Sequence, residues 1–170
     1  MSPKIILAAA LSCLFAPGPV FAADTEAGEP GFERLVGGCW RLENTCQAFE
    51  FGLDRRRVSA RSLAQTPEGQ RIVSEGAWFH HPGEGVFVGY FVARDMGIEL
   101  FEYRTRFEGE VMISDVIAWS RDGQRQTYRE HWTFTDEDHY LWELFEVGPD
   151  ATQRVMQGIF TRETVPESGR

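Results

Sequence analysis

From Arg56 to Glu163 the chain is cut into extended, alternating segments of about a dozen residues, each ended by a short cluster rich in Gly, Asp or Pro. The clusters are Pro67-Glu68-Gly69, Pro82-Gly83-Glu84-Gly85, Arg94-Asp95-Met96-Gly97, Glu108-Gly109, Arg121-Asp122-Gly123-Gln124, Asp136-Glu137-Asp138 and Gly148-Pro149-Asp150. Turn residues supply the left-handed or pre-bent backbone that reverses a chain, so this spacing reads as an antiparallel all-β meander. A meander this long leaves unpaired edges unless it closes on itself, which predicts an up-and-down barrel.

Eight regular strands are expected: 56–66, 70–81, 86–93, 98–107, 110–120, 124–135, 139–147 and 153–163. Two short ones, 39–43 and 47–52, precede them, giving about eight to ten in all. Phe32 to Val36 reads as a short N-terminal helix that would plug one end of the barrel. The domain plan is a leader over 1–22, a linker with the short helix over 23–36, the barrel over 37–163 and a tail over 164–170.

The leader reading rests on Lys4, the apolar run Ile5 to Phe15 and the small-residue pattern Val20-Phe21-Ala22. A charged start, an apolar stretch and small residues at a cleavage point are what the export machinery reads, so the chain is expected in the periplasm or beyond after cleavage near Ala22. The apolar run is shorter than the roughly 20 residues a membrane span needs. A lipoprotein with Cys13 acylated is the second reading. Cleavage removes Lys4 and no acid, moving the formal charge from −9 to about −10. An acidic chain with no basic run is a poor partner for nucleic acid or for anionic lipid surfaces. Beyond the leader Cys39 and Cys46 remain, and an even count in an oxidising compartment predicts that they pair as a disulfide. A metal site would need further His or Cys at finger-like spacing, which is missing nearby.

The period of two sorts side chains between the faces. If Glu108-Gly109 and Asp122-Gly123 act as tight two-residue loops, Glu102 falls opposite Asp115, and Asp115 opposite Glu130. One face then carries Leu100, Ile113, Ile117, Tyr128, Trp132 and Phe134 with the three carboxylates and Arg104. The opposite face of 124–135 reads Thr127, Arg129, His131 and Thr133, a solvent face, so the face with Glu130 is expected to be the interior. Trp78, His80, Phe87, Gly89 and Phe91 sort to the same side.

An aromatic interior with a few clustered polar groups is how small-molecule pockets are built. The expected ligand-binding residues are Glu102, Arg104, Asp115, Glu130, Tyr128, Trp132, Trp78 and Phe91. The expected partner is a small hydrophobic or amphipathic molecule. Three carboxylates in one cavity cannot all stay ionised, so at least one should titrate high. They would grip a ligand or act on it as acid and base; the alternative is a mutually satisfied network with Arg104 that only fixes register. His80 and His81 are adjacent, so they point to opposite faces and cannot share a metal. Neither His131, on the polar face, nor His139, at a turn, has an evident partner. Nucleophile motifs, phosphate loops and metal-ligand spacings are missing, so no cofactor and no metal is expected. Phe101, Tyr103 and Phe107, with Met112 and Val116 beside them, sort to the outside, where an aromatic patch would serve a homodimer or another partner.

Gly38-Cys39-Trp40, within Leu35-Val36-Gly37-Gly38-Cys39-Trp40-Arg41, resembles the Gly-x-Trp opening of lipocalin-like (calycin) domains. In that superfamily the Trp packs at the closed end of the barrel against an Arg from the last strand, and Arg162 is the matching residue. The Gly-Cys-Trp-Arg start, the strand Leu100-Phe101-Glu102-Tyr103 and the Trp-rich late strands also resemble exported bacterial proteins of unknown function that carry this domain. The resemblance spans most of the chain beyond the leader. It implies a calycin-like barrel and a structural role for Trp40 and Arg162. The extra short strand pair and the short loops differ from secreted lipocalins. Three functions follow as expectations: a binding protein for a small, mostly apolar ligand; an isomerase, hydratase or lyase using the interior acids; or an interaction module.

Overall fold

Each run of alternating residues between turn clusters forms a strand, in a computed structural model that describes residues 31–52 and 55–163. The strands are β1 (Cys39–Leu42), β2 (Thr45–Gly52), β3 (Arg57–Thr66), β4 (Gly69–His81), β5 (Val86–Ala93), β6 (Ile98–Glu108), β7 (Val111–Ser120), β8 (Arg125–Phe134), β9 (His139–Val147) and β10 (Thr152–Glu163). Every strand is antiparallel to its sequence neighbours, and β10 pairs with β1 to close a ten-stranded barrel. Closure leaves no free edge among these strands. The expected N-terminal helix is corrected to a single 3-10 turn, Phe32–Arg34. The leader, residues 23–30 of the linker and the tail lie outside the described residues. Among the described residues no helix is long and apolar enough to cross a membrane.

Two turns decide which side chains face inward. Between β6 and β7 the loop is Gly109-Glu110, so Glu102 pairs with Ile117 and Arg104 with Asp115. That two-residue shift from the expected register leaves the faces unchanged. Between β7 and β8 the pairing runs on to Ser120 and Gln124 (Ser120 N–H to Gln124 O, 3.0 Å), so the loop has three residues, Arg121 to Gly123, closed by Gly123 N–H donating to Ser120 O (3.0 Å) with Gly123 at φ +80°. The extra residue slides β8 by one place, so Asp115 pairs with Arg129 and Ser114 with Glu130. A slip of one residue exchanges the faces of a strand. β8 keeps the expected interior of Tyr128, Glu130, Trp132 and Phe134, while β6 and β7 turn over.

The consequence corrects several expectations. Glu102, Arg104 and Asp115 lie on the outer face, as do Leu100, Ile113 and Ile117. Phe101, Tyr103, Phe107, Met112 and Val116 face inward, so the aromatic surface expected for a homodimer is part of the core.

The barrel has one plugged end. There the 3-10 turn buries Phe32 and Leu35, with the Phe32 ring 5.0 Å from Trp78, 4.9 Å from Phe87 and 5.2 Å from Phe107. Trp40 is fully buried and donates from Nε1 to Leu35 O (2.8 Å). The Arg162 guanidinium lies 4.5 Å over its ring and also donates to Arg34 O, so Trp40 and Arg162 pack as the resemblance implies. Cys39 and Cys46 sit on the outer side of β1 and β2 within bonding distance, their Cα atoms 5.6 Å apart, which fits a disulfide.

Candidate functional site

Above the plug the interior is hollow. A cavity of about 540 Å³ runs toward the opposite end, within the range of small-molecule pockets. Its walls come from all ten strands, because an up-and-down barrel turns every second side chain inward. Trp78, Phe91, Tyr128, Glu130 and Trp132 line it as expected from the sequence. The sorting into faces missed Phe49, Phe101, Tyr103, Trp142 and Phe160, which line it too. For Phe101 and Tyr103 a signal was present: Glu102, Arg104, Arg106 and Glu108 alternate with them, and four charged side chains in a period of two mark a solvent face.

The aromatic rings brace one another. Trp78 lies 4.3 Å from Phe91 and 5.5 Å from Tyr103, and Phe49 lies 6.3 Å from Trp78 and 6.1 Å from Trp132. Trp132 stacks on Tyr140 at 5.0 Å, and Tyr140 on Phe160 at 4.8 Å. Gly89, opposite Trp78 on β5, gives the indole room: a Cβ there would come within 2.6 Å of Trp78 Cδ1. Its mate is Gly76, opposite Phe91. Two aromatic side chains are thus laid against bare backbone and form a wall that does not project into the cavity.

Among the described residues of this lining Glu130 is the sole ionisable acid or base apart from the tyrosines. Its position follows from β8, which points Tyr128, Glu130 and Trp132 the same way. Trp132 Nε1 donates to Glu130 Oε2 (3.0 Å). Burial pushes the carboxyl up to about 7, against the lowering effect of hydrogen bonding from Trp132 and Trp142. A high-titrating interior acid was expected, but from repulsion among three carboxylates; desolvation of one is the cause. Burial, with Glu130 nearby, also raises the Tyr103 and Tyr140 hydroxyls well above their ordinary value. Tyr140 donates to Gln47 Oε1 (3.0 Å), and Tyr128 to Gln126 Oε1 (2.6 Å) nearer the mouth.

The other acids form a ladder on the outer surface. Asp115 is held by Arg129 (2.7 Å) and by Arg106 (3.6 Å), Glu102 accepts from Trp119 Nε1 (2.8 Å), and Arg104 pairs with Glu84. His80 packs edge-on to Phe87 near the plug, and His139 pairs with Asp136 (2.8 Å). Among the described residues no group of three His, Cys, Asp or Glu is placed to hold a metal.

Neither protein-family models nor curated proteins give a match to the chain. The site therefore speaks through its own chemistry: an apolar, ring-lined chamber with one buried carboxyl.

Proposed function

We propose that the chain is an exported binding protein of calycin type that holds a small, mostly apolar ligand inside its barrel. The observation that carries this reading is the cavity of about 540 Å³, walled by aromatic rings and open toward the end opposite the plug. Burying a ligand against such walls is favoured by about 25 cal/mol per Å² of apolar surface. Trp40 packed under Arg162 supports the calycin assignment, and the segment 1–22 supports export.

Native mass spectrometry of protein purified from its own host tests the reading, with a retained small molecule as the expected result. The neutral fluorophore N-phenylnaphthylamine should brighten on entering the recombinant barrel. An unliganded native protein that also leaves the fluorophore dark would refute it. N-terminal sequencing of the exported form should place the cut near Ala22.

A catalytic reading now has Glu130 alone to draw on. A carboxyl titrating near neutrality suits a general base. Glu102 and Asp115 face outward, so the pair of interior carboxylates expected to act as acid and base is not assembled among the described residues, and binding is the better-supported function.

A further inference from the structure

Building on the binding-protein reading, we propose that the ligand is a protonated organic amine, its ammonium group seated on the Glu130 carboxylate among the indole and phenol rings. Three independent features of the cavity point there.

The first is charge. Glu130 is buried in a lining that contains no Arg, Lys or His among the described residues. Arg104, the counter-charge expected from the sequence, is spent outside on Glu84. A buried carboxylate without a cationic partner is unfavourable, and hydrogen bonding from the Trp132 and Trp142 indoles satisfies only part of its acceptor capacity. An ammonium ion supplies both the missing charge and the missing donors.

The second is the nature of the walls. Trp78, Trp132, Trp142, Tyr103 and Phe49 surround the same space. The negative face of an aromatic ring attracts an organic cation, most strongly where water is excluded.

The third is the approach. Glu146, opposite Tyr128 on the cavity side of β9, is exposed at the mouth. Of the arginines near that end, Arg71 pairs with Asp95, Arg121 with Glu99 and Arg154 with Glu143, while Arg94 and Arg125 are exposed with no ion pair among the described residues. With a formal charge of −9 the molecule as a whole draws cations and repels carboxylates. A fatty-acid anion would meet Glu146 first and Glu130 at the bottom.

The titratable groups around Glu130 are Tyr103 from β6, Tyr140 and Glu146 from β9, and Tyr128 from its own strand; β7 offers Ser114 and β9 also Leu144 as direct neighbours. Both tyrosines whose titration Glu130 influences across the core, Tyr103 and Tyr140, stay neutral in the physiological range. Glu130 itself takes up a proton as pH falls below about 7, so the carboxylate that receives the ammonium is lost on the acid side.

Three probes on one phenethyl skeleton test the inference by displacing N-phenylnaphthylamine: phenethylamine, phenethyl alcohol and hydrocinnamate. At pH about 8 the amine is expected to compete at least tenfold better than the alcohol, with the acid weakest. Its advantage should shrink by about tenfold per unit of pH once the solution is well below the Glu130 value, as one proton competes with one ligand. Glu130→Gln keeps the shape and a hydrogen-bond acceptor for Trp132; it should still take up the fluorophore while losing the preference for the amine. An alcohol that competes as well as the amine, or an E130Q variant that retains the preference, overturns the amine assignment and leaves the binding reading standing. A fluorophore that never enters the wild-type barrel removes both.

Discussion

At the scale of single residues, Glu130 should make stability depend on pH in a direction opposite to most carboxyls. The folded barrel holds the proton up to about pH 7, whereas the unfolded chain releases it near the ordinary 4.5. Between those values the folded form binds more protons, so the contribution of this group to stability is present below the lower value and lost as pH rises through the upper one. The Glu130→Gln variant is expected to match wild type near pH 4.5 and to exceed it by on the order of 2–3 kcal/mol at pH 8. Urea titrations of both proteins across that range measure the gap, and a constant difference would contradict it. Gly89 makes a second residue-scale prediction. Gly89→Ala places a methyl where Trp78 Cδ1 now lies 2.6 Å away. The indole must swing into the cavity, at a cost of about 1–3 kcal/mol of stability and with weaker probe binding. Near-UV circular dichroism and fluorophore titration report both, and unchanged probe affinity would mean that the wall yields elsewhere.

At the scale of elements, the outer charge ladder across β6, β7 and β8 should be nearly silent. Asp115 is half-exposed between Arg106 and Arg129, so Asp115→Asn is expected to change stability by less than about 1 kcal/mol and to leave probe affinity alone. A loss of binding in that variant would return Asp115 to the site. These three strands also show what a sequence can and cannot disclose. Strand positions were legible because Gly, Pro and Asp punctuate them; most observed ends fall within a residue or two of those expected. The faces of β8 were legible because Thr127, Arg129, His131 and Thr133 can only be a wet side. Register between strands was not, since Arg121-Asp122-Gly123-Gln124 accommodates a two-residue or a three-residue loop with equal turn chemistry. β7 offered no arbitration: Ile113 and Ile117 on one face are as apolar as Met112 and Val116 on the other. In consequence Tyr128, Glu130, Trp132, Trp78 and Phe91 were found together from sequence, and Glu102, Arg104 and Asp115 were drawn into the cavity by a single slipped residue.

At the scale of the whole molecule, the plug ties the first strand to the last. Arg162 reaches from β10 over the Trp40 ring on β1 and to Arg34 in the turn below. Arg162→Ala removes both contacts and is expected to cost about 1–2 kcal/mol, with faster amide hydrogen exchange concentrated in β1 and β10. Uniform exchange across all strands would instead indicate that the plug is braced by Phe32 and Leu35 alone. The same seam has a kinetic meaning. Every ladder in this barrel joins strands that are consecutive in sequence, save the one that sets Cys39 beside Glu163. Hairpins can zip one after another with short loops to close, whereas the last pairing must gather nearly the whole chain, and its entropy is spent late. Substitutions in the β7–β8 hairpin should therefore slow folding, and those at Trp40 or Arg162 should mainly hasten unfolding, so that the lifetime of the closed barrel is governed at the seam.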